Sequence, residues 1–264
     1  MSPPTLQVEG LEVTFRTRLG PVAAVRGVSY EIASGERLGM AGESGSGKTV
    51  SALALTGLLG PTAEIAGRVR FRGDDVGGPR SPARRALRGR HVGTIFQDPL
   101  SSLNPALTVG YQIAEPLRMH LRCDRAAARR RSVELLAQVG IPDPERNVDE
   151  YPHRFSGGMR QRAMIAIALA CEPELVVADE PTTALDVTIQ AQILELLVAL
   201  CEERGTALLL ITHDLGVLAG VAQRIVVMHD GRIVEDAPVD DLFYRPAHPY
   251  TRSLLAWASS EGGP

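Results

Sequence analysis

The chain has 264 residues, a formal net charge of −3 at pH 7 and a pI near 6.1, and 44% of its residues are hydrophobic. This length allows one large α/β domain or two small ones, and the slightly acidic balance argues against a nucleic-acid surface as the main function. We find no run of about 18 apolar residues, so no membrane-spanning helix is predicted, and the N-terminus lacks the pattern of a signal peptide. Three widely separated cysteines predict reduced thiols and a cytoplasmic protein.

The first third of the chain alternates apolar and polar residues in short stretches that predict strands. Its predicted elements are half-buried strands over 11–15 and 28–32, a short apolar strand over 37–41, a helix over 50–59, another edge or antiparallel strand around 69–71 and a glycine- and proline-rich loop over 74–82.

Residues 42–49 match the P-loop pattern Gly-x-x-x-x-Gly-Lys-Ser/Thr. Glycines let the backbone turn its N–H groups around phosphate oxygens, and the helix that begins near Gly47 adds positive potential there. Lys48 is the one lysine among the 28 Lys plus Arg, and a compact ammonium fits a phosphate cradle better than a guanidinium does. Lys48 can then reach the β- and γ-phosphates, and the Thr49 hydroxyl can ligate Mg²⁺. The predicted nucleotide-binding residues here are Gly42, Ser44, Gly45, Ser46, Gly47, Lys48, Thr49 and Val50.

The middle of the chain changes to helical character. Residues 92–96 predict a brief strand that ends at Gln97, and residues 97–160 predict a helical subdomain inserted into an α/β core. Gln97 could contact Mg²⁺ or the attacking water, or could be solvated. Two arginine clusters could dock acidic partners, although we expect solvated helix faces: Arg84, Arg85, Arg88 and Arg90, and Arg125 with Arg129 to Arg131.

In the last third, the apolar run 175–178 predicts a buried parallel strand that ends in Asp179 and Glu180. The next elements are predicted to be an amphipathic helix with a stripe at Ile189, Ile193, Leu196 and Leu200, a buried strand over 206–212 that ends at His213, and a β-hairpin over 225–234.

The P-loop, Asp179–Glu180 and His213 each follow the end of a predicted parallel strand, and ligands bind at that edge of open α/β sheets. Asp179 would hold Mg²⁺ through water, and Glu180 would position or deprotonate the attacking water. The alternatives are a solvated pair of acids and, for His213, a polar strand end without a role.

A second anion-binding helix terminus is predicted where Ser156, Gly157 and Gly158 open the apolar helix over 159–170. Because one nucleotide does not need two such cradles in one chain, this motif predicts a head-to-tail dimer. Each chain's Ser156 region would close over the partner's γ-phosphate.

With these motifs, the chain resembles the ATP-binding cassette (ABC) ATPases over nearly its whole length. In family order it has a P-loop, a glutamine loop at Gln97, a signature at 156–162, a Walker B strand at 175–180, a D-loop at 184–186 and a switch histidine, His213. Phe15 lies where the family places an aromatic ring that stacks on adenine. The signature departs from Leu-Ser-Gly-Gly-Gln at Phe155 and Met159, with Ser-Gly-Gly retained.

The resemblance implies one ABC ATPase domain over residues 1–264. Its fold would be a RecA-like α/β P-loop core with an antiparallel β subdomain and an inserted helical subdomain. The core and β subdomain would comprise 1–96 and 161–240, the helical subdomain 97–160, and a short C-terminal extension 241–264. It also implies the cofactors ATP and Mg²⁺, with Thr49, Gln97 and Asp179 as metal ligands. The implied catalytic residues are Lys48, Gln97, Glu180 and His213.

Three segments resemble the ATPase subunits of bacterial di/oligopeptide and nickel importers: 97–105, 186–192 and His-Pro-Tyr-Thr at 248–251. This subgroup implies ATP-driven peptide uptake at the cytoplasmic face of the membrane. The implied partners are a second ATPase subunit, identical or different, two permease subunits and an extracytoplasmic substrate-binding protein. Many members carry a cysteine-rich tail with an iron–sulfur cluster, but no cysteine follows Cys201 here, so no cluster is expected.

Four alternatives are a nickel or metal-chelate importer, a soluble ABC protein of DNA repair or translation, a GTPase and a small-molecule kinase. Repair proteins carry long coiled coils and translation proteins two cassettes, and neither feature is present in this sequence. A GTPase or kinase would not explain the signature helix. The sequence does not decide between peptide and nickel as the transported substrate, because the ATPase subunit does not contact the substrate.

Overall fold

The computed structural model describes residues 3–183 and 185–261. The chain forms two compact units, one of residues 1–87 and 207–264 and the other of residues 88–206. Each unit contains both helices and strands. Within the described ranges, we find no helix that is long and apolar enough to cross a membrane.

An antiparallel sheet in the first unit has the strand order β2-β1-β4-β5. These strands are β1 (Leu6–Thr17), β2 (Gly20–Ile32), β4 (Ala63–Phe71) and β5 (Asp74–Asp75). The predicted strands are confirmed, but the predicted loop over 74–82 is wrong at its start. Arg72 and Gly73 both have positive φ, which turns the chain tightly so that Asp74 pairs with Phe71.

The first unit also contains parallel strands, and β3 (Arg37–Ala41) lies between two of them. It pairs in parallel with β8 (Ala207–Ile211) and with β9 (Arg224–His229), and β10 (Arg232–Pro238) pairs antiparallel with β9. The predicted hairpin between β9 and β10 is confirmed. The helices of this unit are α1 (Lys48–Thr56), α2 (Pro82–Leu87), α9 (Leu215–Val221), α10 (Val239–Tyr244) and α11 (Pro249–Glu261).

Helix α1 ends at Thr56, so the prediction that it continues to Leu59 is wrong. Gly57 takes a left-handed conformation with φ 64° and donates its N–H to carbonyls of the last turn, including Ala54 O. A left-handed glycine satisfies the terminal carbonyls and stops a helix, and this effect outweighs the apolar residues that follow.

In the second unit, β6 (Val92–Ile95) and β7 (Leu175–Asp179) pair in parallel. Its helices are α3 (Pro99–Ser102), α4 (Val109–His120), α5 (Arg125–Gln138), α6 (Pro144–Asn147), α7 (Gly157–Leu169) and α8 (Val187–Arg204). The prediction of the apolar stripe on α8 is partly wrong. Leu194 and Leu197, which it omits, are buried, while Leu196, which it includes, is half-buried. The boundaries 97–160 of a helical subdomain stay a prediction.

Arg84 corrects the expectation that both arginine clusters lie on solvated faces. Its side chain is only 2% exposed, and Nη1 donates to Ala54 O at the end of α1 over 3.1 Å. Its buried Nε has no hydrogen-bond partner within the described part of the chain. Burial lowers the pKa of Arg84, and the charge of Asp75 offsets part of that effect. Arg85, the next residue, is exposed.

We expect Arg84→Ala to lower the free energy of unfolding by about 2–4 kcal/mol, because it removes a large buried side chain and one of the hydrogen bonds to the end of α1. Arg85→Ala is the matched control and should stay within about 0.5 kcal/mol of wild type. Urea unfolding of both variants measures the difference. Equal stability of the two variants would contradict a structural role for the Arg84 side chain.

Candidate functional site

The P-loop connects β3 to α1 in a conformation that requires glycine. Gly42, Gly45 and Gly47 have φ values of 144°, 81° and 103°. A Cβ on Gly42 would lie 2.2 Å from Met228 O, and a Cβ on Gly47 would lie 2.5 Å from Ala24 O. At Gly42 and Gly47, glycine is therefore needed both for the backbone angles and for close approach to a neighbouring strand.

Lys48 is buried against the loop that precedes it, with 5% of its surface exposed. Its Nζ donates to Gly42 O over 2.7 Å and to Glu43 O over 2.8 Å. In the described structure, no side chain caps α1 at Gly47. The first N–H groups of a helix attract anions, so an ammonium and a helix N-terminus act at the same point. This arrangement fits the triphosphate of a nucleotide.

Two elements distant in sequence support the P-loop, and sequence reasoning missed both contacts. Gly231, in the turn between β9 and β10, donates its N–H to Ser46 O over 3.1 Å. Tyr250, in the first turn of α11, accepts a hydrogen bond from the N–H of Glu43 over 3.2 Å. Tyr250 belongs to the His-Pro-Tyr-Thr segment at 248–251. In the sequence this segment indicates only the importer subgroup and does not predict a contact with the P-loop.

The other predicted residues of the first unit lie on β1 and after β8. Phe15 is half-buried on β1, opposite Val22 of β2. His213 is exposed in the short connection between β8 and α9. The next residue, Asp214, caps α9 by accepting from Val217 N over 3.1 Å. His213 therefore follows a buried strand as predicted, and its role stays a prediction.

In the second unit, Gln97 and Glu180 lie in direct contact. Asp179 is the last residue of β7 and is 7% exposed, while Glu180 follows it with a φ of 45°. Gln97 Nε2 donates to Glu180 Oε2 over 2.9 Å, and Thr183 Oγ1 donates to the same oxygen over 3.0 Å. A left-handed non-glycine residue stores strain that is typical of functional sites. Sequence reasoning missed Thr183.

The predicted signature begins a helix, as expected. Ser156 Oγ accepts from Met159 N over 3.3 Å and so caps α7. A Cβ on Gly158 would lie 3.1 Å from Ile189 Cγ2, so even an alanine here would require the Ile189 side chain to shift by a few tenths of an ångström. Ala184, the first residue of the predicted D-loop, lies outside the described residues. Asp186 caps α8 by accepting from Ile189 N over 3.0 Å.

Comparison with known proteins gives three consistent matches. The family model "ABC transporter" matches residues 25–183. The chain is 54% identical to a probable peptide ABC transporter ATP-binding protein of Sinorhizobium fredii, covering 95% of this chain and 75% of that protein. It is 52% identical to the dipeptide transport ATP-binding protein DppD of Haemophilus influenzae, covering 95% of this chain and 76% of that protein.

Solved structures agree with these matches. A dimeric structure of the ATP-binding cassette MJ0796, in a post-hydrolysis state bound to ADP and Pi, has a TM-score of 0.78 at 28% identity and covers 89% of this chain and 98% of that chain. CbiO1 from Clostridium perfringens, part of an ABC transporter complex, has a TM-score of 0.76 at 27% identity, with 92% and 91% covered. The predicted fold class is confirmed.

We expect Gly42→Ala to destabilise the chain much more than Gly45→Ala. Both residues have positive φ, which costs a side chain about 1–2 kcal/mol, but only the Cβ on Gly42 would collide with backbone. A Cβ on Gly45 meets no described atom within 4 Å. Thermal unfolding without nucleotide compares the two variants. Equal melting temperatures would show that Met228 does not confine the loop.

Proposed function

The chain belongs to the ABC transporter family of ATPases, and we propose that it is the ATP-hydrolysing subunit of an importer for di- or oligopeptides. The observation that carries this proposal is the P-loop, in which the buried Lys48 ammonium lies against the carbonyls of Gly42 and Glu43. The names of the relatives support peptides as cargo and do not favour nickel or a metal chelate.

Lys48 and the N–H groups at the start of α1 would bind the phosphates of ATP. Phe15 would stack on adenine. The residues predicted to hold Mg²⁺ offer a hydroxyl, an amide and a carboxylate, which are the hard oxygen ligands that this ion prefers: Thr49, Gln97 and Asp179. The ion, when bound, would neutralise charge on the β- and γ-phosphates.

Glu180 would act as the base that orients and deprotonates the attacking water, and His213 would support the γ-phosphate and this water. The hydrogen bonds from Gln97 and Thr183 to one carboxylate oxygen support this assignment, because they hold the Glu180 carboxylate in one orientation. Gln97 would thereby serve both as a metal ligand and as a positioning residue.

A second cassette would complete the site. In the proposed dimer, the signature residues Ser156, Gly157 and Gly158 lie against the γ-phosphate bound by the partner, which is consistent with the dimeric form of the similar cassette MJ0796. Two permease subunits and a substrate-binding protein would complete the importer, with this chain at the cytoplasmic face of the membrane. Residues 97–160 would form the helical subdomain of the cassette.

We expect Lys48→Ala to abolish ATP hydrolysis, because it removes the charge that neutralises the phosphates. Glu180→Gln should still bind ATP and accumulate as an ATP-loaded closed dimer, with turnover lowered by about 10²–10⁴-fold. Glu195→Gln makes the same chemical change on the exposed face of α8 and is the control. Phosphate release and gel filtration of the assembled complex measure both effects. Normal turnover by Glu180→Gln would remove Glu180 from its catalytic role.

The cargo is tested by ATPase activity of the complete complex in liposomes. The binding protein is loaded with dipeptides, with oligopeptides or with a nickel chelate. We expect stimulation by peptides, because the relatives are named for peptide transport. Stimulation by the nickel chelate without a peptide response would overturn the cargo assignment and leave the ATPase assignment intact.

A further inference from the structure

The C-terminal His-Pro-Tyr-Thr segment contacts the P-loop directly. Tyr250 Oη accepts a hydrogen bond from the Glu43 N–H over 3.2 Å. The Tyr250 ring stacks on His229, the last residue of β9, with ring centroids 3.9 Å apart and planes inclined by 28°. The hydroxyl and the ring of one side chain therefore link α11 both to the P-loop and to the strand beside it.

The peptide group that Tyr250 holds is the one that also holds Lys48. Its N–H belongs to Glu43 and points to Tyr250, while its carbonyl belongs to Gly42 and accepts from Lys48 Nζ over 2.7 Å. A peptide group is planar and trans, so its N–H and carbonyl point in opposite directions. A hydrogen bond that fixes the N–H therefore also fixes the carbonyl that receives the ammonium.

This peptide needs an external support because it follows a glycine. Gly42 has a φ of 144°, and glycine restricts the orientation of the next peptide less than any other residue does. If the peptide rotated, the Gly42 carbonyl would turn away from Lys48 and one of the ammonium's acceptors would be lost.

Tyr250 is itself held firmly. Its own N–H donates to His248 Nδ1 over 3.2 Å, and the Glu235 carboxylate accepts from the N–H groups of Ala247 and His248 over 2.8 and 2.9 Å. Thr251, the last residue of the segment, is fully buried. Burial raises the pKa of Tyr250, so the phenol stays neutral.

We propose that Tyr250 is a positioning residue of the ATP site, whose hydroxyl locks the Gly42–Glu43 peptide in the orientation that holds the Lys48 ammonium at the phosphate-binding loop. This role acts through Lys48, without contact between Tyr250 and the nucleotide. It rests on the proposed binding of ATP by the P-loop, and it gives the 248–251 segment a physical task at that site.

The test is Tyr250→Phe, which keeps the ring and its stacking on His229 but removes the accepting oxygen. The control is Tyr244→Phe at the end of α10, where the tyrosine is 82% exposed. Isothermal titration of the full chain with Mg-ATP gives the dissociation constant, and thermal unfolding without nucleotide gives the intrinsic stability. We expect Tyr250→Phe to raise the dissociation constant roughly three- to tenfold, the effect of one hydrogen bond, and to lower the melting temperature by no more than about 6 °C. Tyr244→Phe should change neither quantity.

Two results would overturn the proposal. A dissociation constant for Tyr250→Phe within about twofold of wild type would mean that the hydroxyl does not matter for ATP binding. Weaker binding together with a fall in the melting temperature without nucleotide well beyond about 6 °C would mean that Tyr250 has only a structural role. A wild-type chain that binds no ATP would instead refute the proposed function, and with it any role of Tyr250 in that function.

Discussion

The close approach of the P-loop backbone to its neighbours is the constraint on which the nucleotide site depends. Gly42 lies against Met228 O and Gly47 against Ala24 O, at distances that admit no side chain. The loop is therefore pressed between strands of the first unit, and its carbonyls point at the Lys48 ammonium. A phosphate cradle that is formed before the ligand arrives binds more tightly, because ordering a flexible glycine-rich loop on binding would cost conformational entropy.

The same need for preorganisation accounts for the residues around the proposed catalytic base. Glu180 has an unfavourable backbone conformation at the end of β7, and donors on Gln97 and Thr183 hold its carboxylate. A base acts efficiently when its orientation is set before the reaction, since no reorganisation is then needed in the transition state. Local strain and hydrogen bonds to the carboxylate are physically consistent with a role in water activation.

Two kinds of structural effect, long-range contacts and local backbone conformation, explain where the structure differs from the sequence-based predictions. A cluster of arginines on a helix usually marks a solvated face, so the sequence predicts that Arg84 is solvated, yet the carbonyl at the end of α1 provides an acceptor inside the fold. Local conformation explains a second difference. The apolar run after the P-loop predicts a longer α1, whereas Gly57 in a left-handed conformation ends the helix. The tight turn at Arg72 and Gly73 is not predicted from the sequence, because both residues have positive φ and arginine seldom adopts that conformation.

The sequence by itself determined the order and type of the main elements, the P-loop, the strand that ends in Asp179 and the helix that Ser156 caps. These features are local, because a glycine spacing, an apolar run or a capping residue acts on its own neighbours in the chain. Tertiary structure alone decided that Met228 and Tyr250 support the P-loop and that Gln97 contacts Glu180. Tyr250 lies more than 200 residues from Glu43 along the chain, and no local pattern encodes a contact that only the packing of separate elements creates.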